Sequence, residues 1–155
     1  MTPLVRLAWA EGADRSLPLP SYRTEGAAGA DLCAHLPSDA REAGLAIALG
    51  EVAAVPTGLC MAIPEGWEGQ VRARSGLAKL GLILPNGPGT VDWDFRGEVL
   101  VLLLNAGREA VTIRHGDRIA QLVVAPVARA SFAVVDRLDD TARGDGGFGS
   151  TGLSP

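Results

Sequence analysis

The chain has 155 residues and a net charge of −4, with 47% hydrophobic and 21% charged residues. That length fits one domain, that charge provides no basic stripe for general attraction to nucleic acid or anionic membrane, and that composition is far from disorder. Gly and Pro, at 20 and 10 residues, punctuate the chain too often for long helices.

The stretch Leu4 to Ala10 is broken by Arg6 and shows neither a basic leader nor a small-residue cleavage pattern, which sets the expectation of a cytoplasmic protein. From residue 30 onward, short β-type segments alternate with turn residues. They are predicted at Asp31 to Leu36, Leu45 to Leu49, Glu51 to Val55, Leu59 to Ile63 and Gln70 to Arg74. A single helical turn follows at Ser75 to Leu80, with Ser75 as its N-cap. Further strands are expected at Leu82 to Leu84, Gly97 to Asn105, Ala110 to Ile113, Arg118 to Ala125 and Ser131 to Val135. Many short strands without room for βαβ crossovers indicate an all-β subunit, a distorted jelly roll or β-sandwich. Val99 to Leu104, the longest apolar run, is too short to span a bilayer. Its lack of alternation reads as a strand buried on both faces, the second face available to a partner subunit. Residues 1–136 are expected to form the catalytic domain, and residues 137–155 a glycine-rich arm.

Every basic residue except Lys79 is an arginine. This suits bidentate phosphate recognition, and equally the codon bias of a chain rich in Ala, Gly and Pro. Cys33 and Cys60 lack CxxC spacing and read as two small buried thiols rather than a disulfide or zinc site. His35 and His115 have no partner at ligand spacing and read as structural.

Five stretches carry chemistry. Asp31 sits in Ala28-Gly29-Ala30-Asp31-Leu32. Arg74-Ser75-Gly76 opens the helical turn, either as an anion site of free N–H groups beside a guanidinium or as an ordinary cap. Gly89 to Gly97 looks like a hairpin that carries Thr90, Val91, Asp92, Asp94, Phe95 and Arg96, with Asn86 in the preceding Pro-Asn-Gly-Pro. Its carboxylates suit a general base or simple turn geometry. Gln121 closes Gly116-Asp117-Arg118-Ile119-Ala120-Gln121. Last, Arg143 to Gly152 combines glycines with Arg143, Phe148, Ser150 and Thr151. It is composed like a phosphate clamp with an aromatic lid, or like a disordered tail.

Together and in this order, over roughly residues 24 to 152, these stretches resemble the homotrimeric deoxyuridine triphosphatases (dUTPases). The resemblance implies a jelly-roll trimer with three shared sites, hydrolysing dUTP to dUMP and pyrophosphate with Mg²⁺, without nucleic-acid or membrane partners. It implies that this activity keeps uracil out of DNA and supplies dUMP for thymidylate synthesis. Asp92 would be the catalytic base, and Asp31 would help orient the water shell of the metal. Arg74, Ser75, Gly76 and Gln121 would contact phosphates. Asn86, Thr90, Val91, Phe95 and Leu100 would form the nucleoside subsite, and Arg143, Phe148, Gly149, Ser150 and Thr151 the closing arm. One departure stands out. Phe95 occupies a position where the family usually has Tyr, which keeps the ring face against deoxyribose but removes the phenolic hydrogen bond. A dCTP deaminase-like enzyme fits less well, because Gly76 replaces a second Ser and the closing arm is complete. A non-catalytic, nucleotide-binding regulatory trimer would not need Asp92, Arg74 and Phe148 together.

Overall fold

Alternation along Glu98–Asn105 (β8) sets the architecture. Val99, Val101, Leu103 and Asn105 point inward and are buried, while Leu100, Leu102 and Leu104 lie on the other side, with Leu100 48% exposed. The strand is therefore buried on one face within the chain, not on both as its unbroken apolar run suggests. The computed structural model describes residues 2–147, and among these it contains ten strands and one helix. Arg6–Trp9 (β1), Val52–Ala62 (β4), β8 and Leu82–Ile83 (β6) form one sheet in the order β1-β4-β8-β6. Ala30–Cys33 (β2), Arg118–Pro126 (β10), Trp67–Ala73 (β5) and Gly89–Val91 (β7) form the second, in the order β2-β10-β5-β7. Leu45–Ile47 (β3) and Val111–Ile113 (β9) make a two-stranded ribbon. The sheets enclose a core that includes Leu32, Leu36, Ile47, Met61, Leu103 and Ile119. The expected all-β, jelly-roll-like fold is thus present. No described helix is long and apolar enough to cross a membrane.

Several boundaries differ from expectation. The segments around residues 51–55 and 59–63 are one eleven-residue strand, β4, with a register irregularity between Pro56 and Cys60. Proline cannot donate to a ladder, so it is tolerated at such a bulge. The displaced groups there find other partners: Thr57 Oγ1 donates to the Val99 carbonyl (2.7 Å), and the Gly58 N–H donates to Glu98 Oε1 (2.7 Å). β1 was not expected, because three of its four residues are exposed and an edge strand carries little inside-outside signal. Ser131–Val135 forms no strand. Phe132 and Val134 are almost wholly exposed, and propensity without a neighbouring strand to pair with produces no sheet. The stretch Gly89–Gly97 is not a hairpin either, because β7 pairs with β5 while β8 lies in the other sheet. Residues 92–97 are the crossover between the sheets. The helix, Ser75–Ala78 (α1), has Arg74 rather than Ser75 at its N-cap, with extended backbone and no side-chain capping bond.

His35 and His115 have the structural role expected of them. Their rings meet edge to face at 5.2 Å. The Asp14 N–H donates to His35 Nε2, and the Leu36 N–H donates to His115 Nδ1 (3.0 Å). His115 must therefore carry its proton on Nε2, where it faces Asp14 Oδ2 at 3.2 Å. Cys33 and Cys60 are half-buried and unpaired.

After α1 the chain turns at Gly81 (φ +89°), whose missing side chain admits the backbone of Gly107. A Cβ there would lie 2.2 Å from Gly107 Cα. Beside it, the fully buried Asn105 donates to the carbonyls of Ile47 (2.8 Å) and Glu109 (2.9 Å) and accepts from the Gly107 N–H (2.9 Å). Substituting Gly81→Ala combines a left-handed backbone penalty with a backbone clash, so urea unfolding should show a loss of at least about 2 kcal/mol.

Candidate active site

The crossover between the sheets opens a cleft of about 310 Å³, at the small end of the roughly 300–1,000 Å³ of small-molecule sites. One wall comes from Val71 on β5 and from Gly89, Thr90 and Val91 on β7. The opposite wall comes from Glu98, Val99, Leu100 and Leu102 on β8, while Asn86, Asp92 and Phe95 border the opening. The ring of Phe95 lies over Gly97, where a Cβ would come within 2.7 Å of Cζ, so this glycine lets the ring lie flat at the mouth. Arg96 fastens the turn by donating from Nη1 to the carbonyls of Trp93 (2.8 Å) and Phe95 (2.7 Å). Largely apolar walls carrying an amide (Asn86), a hydroxyl (Thr90) and two carboxylates (Asp92 and Glu98) suit a flat heterocycle with a few hydrogen-bonding groups. Asp92 also borders a wider, acidic depression with Trp67, Glu68, Trp93, Asp94 and Arg129.

A second constellation centres on Asp31. β2, β10 and β5 are adjacent, and Gln121 stands in register with Asp31 on one side and Arg72 on the other. The Asp31 carboxylate is only 2% exposed. Its Oδ2 accepts from Arg118 Nη1 (2.9 Å) and Arg23 Nε (3.3 Å), and its Oδ1 accepts from Gln121 Nε2 (3.3 Å), with Arg74 Nε at 3.4 Å. Burial pushes this carboxyl up, but the bonds from Arg118, Gln121 and Arg23 and the charge of Arg74 outweigh it, leaving the group below its ordinary value. Arg74 also donates to the Arg118 carbonyl (2.8 Å), which ties the start of α1 to β10.

The residues expected from the sequence therefore fall into two groups. Asn86, Thr90, Val91, Asp92, Phe95 and Leu100 meet at the cleft. Asp31, Arg74 and Gln121 meet at the anion cluster, with Ser75 and Gly76 directly following on α1. Asp31, Arg74 and Gln121 line neither of these cavities, so among the described residues the two groups stand apart. Arg143 is in neither group and donates to the Gly146 carbonyl (2.8 Å). Phe148, Gly149, Ser150 and Thr151 lie outside the described residues. Arg23 and Arg118 were given no role from the sequence, although Arg118 stands within the Gly116–Gln121 stretch. Glu98 and Leu102 were likewise missed, and the signal for both was their place two residues before and after Leu100, hence on the same face of a strand.

Among the described residues, no three His, Cys, Asp or Glu side chains converge. The Asp31 oxygens are already held by cations and an amide. These donors do not make a cage for a resident metal ion, and a cation chelated by a polyphosphate would enter as part of the ligand.

Fold and clefts thus define a jelly-roll protein with a largely apolar cleft of small-molecule size and a separate cluster of three arginines around one buried carboxylate. The chain matches the dUTPase family over residues 15–152 and belongs to it. It is 60% identical over 153 residues to the deoxyuridine 5'-triphosphate nucleotidohydrolase of Dinoroseobacter shibae, covering 98% of this chain and 97% of that one. With the enzyme of the same name from Desulfotalea psychrophila it shares 54% over 155 residues, covering 99% and 100%. In fold it resembles the dUTPase of Staphylococcus bacteriophage 80alpha solved with dUPNHPP, with a TM-score of 0.83, 21% identity and coverage of 98% and 100%. It also resembles a mutant dUTPase from phage phi11 of S. aureus, described with a structural Mg(II) ion, with a TM-score of 0.72, 18% identity and coverage of 88% and 99%.

The lowered Asp31 carboxyl has a defined sign in stability. Its contribution is complete above the unfolded carboxyl value, 3.8, and is lost as pH falls through the lower folded value. Asp31→Asn should therefore be less stable than wild type at neutral pH, and the gap should close on acidification below about pH 4, measured by urea unfolding across a pH series.

Proposed function

We propose that the protein hydrolyses dUTP to dUMP and pyrophosphate in the cytoplasm, keeping uracil out of DNA and supplying dUMP for thymidylate synthesis. One observation carries most weight: Asp92 stands at the mouth of an apolar, heterocycle-sized cleft edged by Asn86, Thr90 and Phe95, in a chain of the dUTPase family. Asn86 offers both a donor and an acceptor, as the imide edge of uracil requires. A side-chain amide can rotate to serve either pyrimidine, so rejection of cytosine would rest on backbone groups of the cleft, whose polarity is fixed; a mismatch with these is a sharper filter than the extra methyl of thymine. The Phe95 ring packs against deoxyribose without a phenolic hydrogen bond.

Asp92 accepts a proton from the water that attacks the α-phosphorus in line, and the departing pyrophosphate takes up the negative charge. Arg74, with Ser75, Gly76 and Gln121, holds the polyphosphate and stabilises that charge. Mg²⁺ carried on the triphosphate would supply charge neutralisation, and Asp31, its own oxygens held by Arg118, Arg23 and Gln121, would bear on the metal's water shell only indirectly. Residues 137–155 serve as an arm, with Phe148 stacking on the base and Arg143, Gly149, Ser150 and Thr151 closing on phosphates.

A homotrimer with shared sites accounts for the separation of the two residue groups in one chain, since a cleft from one subunit can face an anion cluster from another. Leu100, 48% exposed, belongs to the cleft, so a neighbour meeting the outward face of β8 would also cover the nucleoside subsite.

Offered each deoxynucleoside triphosphate with Mg²⁺, the protein should release pyrophosphate and dUMP from dUTP alone. Asp92→Asn should cut kcat by about two to four orders of magnitude while nucleotide affinity is retained. Ammonia from dCTP would indicate a deaminase, and tight dUTP binding without turnover in the wild type a regulator. Light scattering should report about three times 16.0 kDa. Truncation after Ala142 should abolish most activity while leaving the trimer and its melting temperature nearly unchanged.

A further inference from the structure

The charge count around Asp31 does not balance. Three guanidinium groups, from Arg23, Arg74 and Arg118, share one buried carboxylate, and among the described residues no other carboxylate lies within 4.0 Å of any of them. Two positive charges are left in excess at one spot of a chain whose net charge is −4. Asp31 does not need all three: Arg118 at 2.9 Å and the Gln121 amide already serve its two oxygens. Arg23 is the least committed member. It donates only through Nε, its side chain is 52% exposed, and among the described residues its two terminal nitrogens have no partner. Its backbone is nevertheless fixed. The Asp31 N–H donates to the Ser21 carbonyl (3.0 Å), and a turn from Thr24 to Ala27 (3.1 Å) follows directly. Pinned at Nε and free at both Nη atoms, this guanidinium presents the fork that binds a phosphate bidentately.

We propose that Arg23 is a further phosphate-binding residue of this protein, engaging the polyphosphate beyond the α-phosphate and thereby favouring a triphosphate over its monophosphate product. The assignment deepens the dUTP reading and rests on it for the identity of the nucleotide. The α-phosphorus must lie at Asp92, on the cleft, whereas Arg23 belongs to the separate cluster, so the phosphates that reach it are those further along the chain. Such a contact strengthens with the charge of the ligand and contributes little to a bound monophosphate.

The test is calorimetric titration with inorganic tripolyphosphate and, separately, with dUMP, at several salt concentrations, on wild type, Arg23→Gln and Arg23→Lys, with thermal melts of each protein alone. Arg23→Gln should weaken tripolyphosphate binding roughly three- to tenfold and make it less steep in salt, with dUMP affinity unchanged. Arg23→Lys should recover part of the loss, because it restores the charge but not the fork. In turnover, KM for dUTP should rise by more than kcat falls. Equal tripolyphosphate affinity in wild type and Arg23→Gln, a parallel loss of dUMP and tripolyphosphate, or a lowered melting temperature as the sole effect would each overturn the assignment. The two readings fail separately. Arg23-dependent tripolyphosphate binding without dUTP hydrolysis sinks the substrate and keeps the anion residue, whereas dUTP hydrolysis indifferent to Arg23 does the reverse.

Discussion

Pairing of β4 with β8 is the constraint on which the rest depends. β8 turns Val99, Val101, Leu103 and Asn105 into the core and leaves Leu100, Leu102 and Leu104 on the opposite side. A one-residue slip would exchange these sets and bury Glu98 instead. Two devices hold the register. At one end the bulge through Pro56–Gly58 is fastened by Thr57 and Glu98, and at the other the Asn105 backbone closes on the residues just before β4, its N–H donating to the Glu51 carbonyl (3.0 Å) and its carbonyl accepting from the Gly50 N–H (2.8 Å). Neither device is apolar. Burial drives the strand inward, but polar groups that must be satisfied decide where along its partner it stops.

The second organising element is electrostatic. A carboxylate as buried as Asp31 is costly unless paired, and here it is paired by residues from three parts of the chain: the loop before β2, the start of α1 and the start of β10. The same group that completes the fold at this corner therefore gathers more positive charge than it neutralises.

Much of the fold was legible because period-two patterns survive wherever one face of a strand is wet. β3, β5, β9 and β10 fall close to their expected positions for this reason. What failed did so where the pattern carries no information about partners. Ser131–Val135 has the composition of a strand and no neighbour to pair with, and Gly89–Gly97 has the composition of a hairpin but joins two sheets. At the site, Asn86, Asp92 and Phe95 were legible because they crowd a short glycine-bounded stretch. Arg23 was not, since nothing local marks an arginine whose partner, Asp31, reaches it across a loop rather than along a strand.

The cleft has walls from different sheets, β5 and β7 on one side and β8 on the other. Part of its lining is core, since Val71, Val91 and Val99 border it and also belong to the hydrophobic interior, while Leu100 and Leu102 reach it from the outward face of β8. A gap of this kind is not tuned by a loop that drifts freely. Selectivity in such a cleft would thus follow how tightly those shared side chains are packed. Substitutions that merely loosen the core would be felt as lost selectivity before they are felt as lost structure.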